Sequence, residues 1–62
     1  MTNQQIAELA KDKGYKAELS GSAIFISLDN RRVSMMEIEN ELDIPREVMA
    51  IGFGGILVYG LI

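Results

Sequence analysis

Four carboxylates at alternate positions, Glu37, Glu39, Glu41 and Asp43, and two adjacent guanidinium groups, Arg31 and Arg32, are the densest charge clusters in this chain. On a helix, Glu37 and Glu41 share one flank and Glu39 and Asp43 another, so like charges one turn apart weaken the segment slightly. As metal ligands they offer a loose hold on a hard cation at best, because an ordered Ca²⁺ site takes roughly six to eight oxygens, usually from a folded loop. No metal site is assigned. The acidic run is read as a solvated helix face and as the candidate surface for a basic protein partner.

Catalysis has little to draw on. The chain has no His and no Cys, so the remaining nucleophiles and bases are Ser, Thr, Lys, Tyr and carboxylates. Ser20, Ser22 and Ser27 have only Lys16 near them in sequence, and a nucleophile needs a base held in reach by a third group. Gly52-Phe53-Gly54-Gly55 resembles a phosphate-cradling loop only superficially: such loops open a helix, whereas Ile56-Leu57-Val58-Tyr59 reads as a strand. The chain is therefore read as non-enzymatic, with no cofactor.

Phosphate binding is the alternative use of charge. Lys11, Lys13, Lys16, Arg31 and Arg32 would have to gather on one side, with Arg31 and Arg32 presented on a turn. A formal net charge of −3 disfavours that, and residues 33–62 carry five acids against Arg46 alone. A nucleic-acid-binding regulator using Arg31 and Arg32 stands as the second reading, after a protein-binding accessory module.

The elements that must position these groups are short. Thr2 and Gln5 form a capping box, Ile6, Leu9 and Ala10 share a face, and Gly14 supplies a stop, which predicts a helix over 3–13. Tyr15 to Leu19 alternates as a half-wet strand, Ser20-Gly21-Ser22 turns, and Ala23 to Leu28 is apolar on both faces, as a central strand is. Asp29-Asn30 turns again, with room for a short strand at Arg31-Arg32-Val33. Ser34 and Glu37 make a second capping box, and the helix from Met35 must stop near Leu42 or Asp43 because Pro45 drives Ile44 out of the α region. Strand-like Val48 to Ile51 and Ile56 to Leu61 follow, with Gly52 to Gly55 read as a hairpin turn in preference to a bulge.

The expected architecture over residues 1–62 is one small α+β domain: two short helices packed on one face of a three- to four-stranded antiparallel sheet, in the order α-β-β-α-β-β. Ile6, Leu9, Ile38 and Leu42 are expected to meet Phe25, Ile24 or Ile26, Val48, Ile51, Leu57 and Tyr59 in one core. Leu9/Leu42, Ala17/Ala50, Gly21/Gly54 and Leu28/Leu61 coincide at an offset of thirty-three, which suggests a pair of αββ units without establishing duplication.

A chain of 62 residues with 48% hydrophobic content buries a small core and has no disulfide to reinforce it. Association of copies is the reinforcement left. The uncharged end of the chain, Leu57, Val58, Tyr59, Leu61 and Ile62, is the expected self-association surface, since an uncovered apolar edge strand invites pairing. The same run is too short and too rich in glycine for a membrane helix. Met1 to Gln5 shows no secretory signal, so a cytoplasmic homo-oligomer is expected, with protein partners and no membrane.

Overall fold

A computed structural model describes residues 2–60. Helix α1, Asn3–Asp12, starts on the capping box: the Thr2 side chain accepts from the Gln5 backbone N–H at 3.2 Å, and Gln5 Oε1 accepts from Thr2 N at 2.9 Å. Ile6, Ala7 and Ala10 form its buried stripe. The helix closes at Lys13, and Gly14 turns the chain out at φ 94°. Strand β1, Lys16–Ser20, and strand β2, Ala23–Ser27, are joined by Gly21-Ser22. Positive φ at Gly21 alone is the pattern of a type II′ turn, whose twist suits two adjacent strands.

No strand forms at Arg31-Arg32-Val33. Strand β2 has β1 on one side and the last strand on the other, so neither of its edges is free to take another partner. Val33 is buried in the core instead. Helix α2, Met35–Leu42, begins where Ser34 Oγ accepts from Glu37 N at 3.1 Å and buries Ile38 and Leu42. It ends in a left-handed Asp43 at φ 55°, a conformation that Asp tolerates better than most residues. Ile44 then turns back into the core ahead of Pro45.

A short 3-10 turn, Arg46–Val48, leads into β3, Met49–Gly52, and β4, Gly55–Tyr59. They form a two-residue hairpin, with Gly52 opposite Gly55 and Gly54 at φ 78°. The four strands are antiparallel in the order β1-β2-β4-β3. The chain is thus a small α+β fold of two helices and a four-stranded sheet, with α1 against β1 and β2 and α2 against β3.

This order corrects the edge-strand picture of the C-terminal run. Strand β4 is flanked on both sides, by β2 through Ile24↔Val58 and by β3 through Met49↔Val58, so its backbone is already paired. Val58 is buried, Leu57 half-buried and Tyr59 45% exposed, while Leu61 and Ile62 lie outside the described residues. The sheet's open edges are β1 and β3.

In β4 the core takes the opposite parity from the one expected, with Ile56 and Val58 inward in place of Leu57 and Tyr59. Ile24, Ile26, Ile56 and Val58 point to the helices and meet Ile6, Ile38 and Leu42, with Tyr15, Val33, Ile44 and Met49 at the margins. Each such side chain contributes about 1.5–3 kcal/mol by leaving water. Phe25, Leu57 and Tyr59 lie on the other face, and Ile51 is 75% exposed; only Leu9 and Val48 of the outer expected set pack partly against the core. Across the open face the register runs Glu18, Phe25, Leu57, Ala50. The Phe25 ring lies over the glycine pair: a Cβ at Gly52 would come within 3.3 Å of it and one at Gly55 within 2.7 Å.

The two αββ units superpose in sequence at thirty-two positions rather than thirty-three. The caps Thr2 and Ser34, the core residues Ile6 and Ile38, Ile24 and Ile56, and the strand starts Ala23 and Gly55 all stand at that spacing. Gly21 and Gly54 occupy different places in their turns, so their coincidence at thirty-three was misleading.

Candidate functional site

Helix α2 turns its carboxylates toward cations of its own chain. Arg31 grips Glu37 with two parallel bonds, Nη1 to Oε1 at 2.7 Å and Nη2 to Oε2, and the Tyr15 hydroxyl donates to Oε2 at 2.6 Å. Arg46 reaches Glu39 at 3.2 Å and Lys13 reaches Glu41 at 3.5 Å. Asp43 is the exposed C-cap of the helix, and its carboxylate enters no ion pair among the described residues. Three of the four acids proposed as a partner surface therefore have an internal counter-ion. The pairs of Glu39 and Glu41 are exposed and contribute little, whereas that of Glu37 is bidentate, with the carboxylate side chain only 20% exposed.

The Tyr15–Glu37–Arg31 cluster ties β1's start, the loop after β2 and α2 together. Hydrogen bonds from Arg31 and then Tyr15 hold the Glu37 carboxyl down at about 2, from an ordinary 4.5. Burial, then the bond to Glu37, pushes the Tyr15 hydroxyl up to about 12 from 10.0. A depressed acid stabilises the fold above its unfolded pKa and loses that contribution as pH falls from 4.5 towards 2; a raised Tyr does so below 10.0 and loses it as pH climbs towards 12. Glu37→Gln is expected to flatten the acid limb of the melting temperature against pH between 5 and 2, and Tyr15→Phe the alkaline limb. Differential scanning calorimetry over these ranges checks both, and an unchanged acid limb in Glu37→Gln would place its cause elsewhere. Reversing Glu37 to Lys, on a helix face read from sequence as solvated, sets a cation against Arg31.

Three of the five basic residues that would make a phosphate track are paired with acids. Lys13, Lys16 and Arg31 are each held by an acid, Lys16 by Asp29 at 2.8 Å. Lys16 lies opposite Ser27 across the β1–β2 ladder, but Asp29 raises its pKa and keeps it an ammonium, the wrong form for a base. Arg32 enters no ion pair among the described residues. Among the same residues no group of three or more acids is placed to hold a metal ion, and no helix is long and apolar enough to cross a membrane.

Among the described residues Leu19, Met36 and Tyr59 are exposed large apolar side chains, and the most exposed are at the β3–β4 hairpin. Phe53 is fully exposed at the turn and Ile51 stands beside it on the edge strand. A cleft of about 160 Å³ separates this hairpin from the loop before α2, lined by Arg32, Val33, Ile51, Gly52, Gly54 and Gly55. The other hairpin is tied down, since the Ser22 carbonyl accepts from Asn3 Nδ2 at 3.2 Å and from Gly60 N at 3.3 Å. Sequence reasoning assigned Ile51 to the core and Phe53 to a turn. The available signal was a large aromatic between glycines, at a turn tip where no strand position could bury it.

Comparison with protein-family models, with curated proteins and with solved structures returned no match.

Proposed function

We propose that the protein is a small, non-enzymatic accessory protein of the cytoplasm that acts by binding protein, self-association included, through the β3–β4 hairpin. The observation carrying this reading is the pair Ile51 and Phe53, large apolar side chains left in water on a domain whose other described isoleucines are buried. Arg32, which enters no ion pair among the described residues, adds a charged group at the rim of the adjoining cleft. The internal pairing of Glu37, Glu39 and Glu41 favours this hairpin over the acidic helix as the contact surface.

A photo-crosslinking residue placed at Phe53 in the intact chain tests it. A defined protein adduct is expected, lost on Ile51→Lys, with none from the same group at Glu18 on the opposite edge. No adduct at position 53 would refute the reading. Adducts to nucleic acid alone, with salt-sensitive heparin retention that Arg32→Ala removes, would put the nucleic-acid regulator in its place.

A further inference from the structure

We infer that two copies of this chain associate by exchanging halves: the α1-β1-β2 unit of each docks on the α2-β3-β4 unit of the other, with Asn30 as the hinge. This goes beyond the hairpin contact and makes no use of it. The interface to be exchanged is itself two-fold. Met49↔Val58 and Gly52↔Gly55 repeat Ala17↔Ile26 and Ser20↔Ala23 at the spacing that relates the units, and Phe25↔Leu57, inside the β2–β4 ladder, is its own image. Each unit therefore ends in a strand whose neighbour is the matching strand of the other unit, whichever chain supplies it.

The hinge is marked by what holds its flanks. Asp29 is tied to the first unit by Lys16 at 2.8 Å, and Arg31 to the second by its two bonds to Glu37, so the ties change sides at the exposed Asn30. Two contacts across the units decide which pairs with which: the Tyr15 hydroxyl donates to Glu37, and Lys13 pairs with Glu41. Like with like loses both. Two first units would set Tyr15 against Gln5 and Lys13 against Leu9, and two second units would set Glu37 against Glu47. Reciprocal exchange keeps both contacts and closes at two chains with no unit left over.

The chain has no cysteine, so introduced ones report the exchange directly. Ala23 and Tyr59 lie opposite each other across the β2–β4 ladder, within the span that a disulfide bridges. Chains with Ala23→Cys alone and with Tyr59→Cys alone are mixed, unfolded in urea, refolded together at high concentration and oxidised. A mixed disulfide of twice the chain mass is expected, in excess of the two like-with-like disulfides together and rising with protein concentration. Deleting Asn30 should raise it further, by removing the slack that lets one chain close on itself. The chain with both substitutions, refolded dilute, should close its disulfide internally. A mixed disulfide no commoner than the like-with-like products, or none at all, would overturn the inference, and so would unsubstituted chain that refolds at high concentration to monomer alone. The position-53 crosslinker reads the hairpin separately, so exchange can fail while hairpin binding stands.

Discussion

Ile56→Ala is expected to cost about 2–5 kcal/mol, while Tyr59→Ala, three residues along the same strand, costs under about 1 kcal/mol. Ile56 is 1% exposed among Ile24, Ile26 and Ile38, so its truncation removes buried methyl and methylene groups and leaves a cavity the neighbours fill only in part. Tyr59 sits on the other face at 45% exposure and leaves no sealed void. Small domains rarely hold more than about 3–5 kcal/mol in their core, so the first change should take most of the stability and the second little. Urea midpoints of the two variants decide it. Equal losses would mean that the strand faces both ways into packed protein.

The second large effect is expected at Gly55. A Cβ there would stand 2.6 Å from the Ile26 carbonyl oxygen and 2.7 Å from the Phe25 ring. Backbone of a central strand cannot retreat as a flexible side chain can, so Gly55→Ala is expected to cost about 2–3 kcal/mol by overpacking and to unfold much of the population. Repeating the change with Phe25→Leu separates the two contacts. That background relieves the ring but leaves the carbonyl, so Gly55→Ala should remain destabilising in it. Identical melting of Phe25→Leu with and without Gly55→Ala would show that the ladder yields at this point.

Both expectations rest on features read unevenly from sequence. The helices were legible because their signals are local: Thr2 with Gln5, and Ser34 with Met35, Ile38 and Leu42, carry cap and stripe within a few residues. The α-β-β-α-β-β order and the hairpin at Gly52 to Gly55 followed from turn chemistry in the same way. Strand parity was not legible. Ile24-Phe25-Ile26 and Ile56-Leu57-Val58 are apolar at consecutive positions, so either set could be taken as inward, and a one-residue slip exchanges the faces. The position of β4 between β2 and β3 depends on pairing across some thirty residues, which no local pattern reports. Nor does any helical or strand periodicity link Arg31 to Glu37, six residues apart with a cap between them, so one member of each of two clusters read as rival binding surfaces proves to be the other's partner.

The internal place of β4 bears on how the molecule is made. Every other element leaves the ribosome before it, yet β4 is what closes β2 and gives β3 its pairing. Until β4 pairs with it, β2 offers Ala-Ile-Phe-Ile-Ser, an uncharged edge of the kind that invites pairing with another chain. A chain truncated before Gly55 would carry β2 with one edge uncovered.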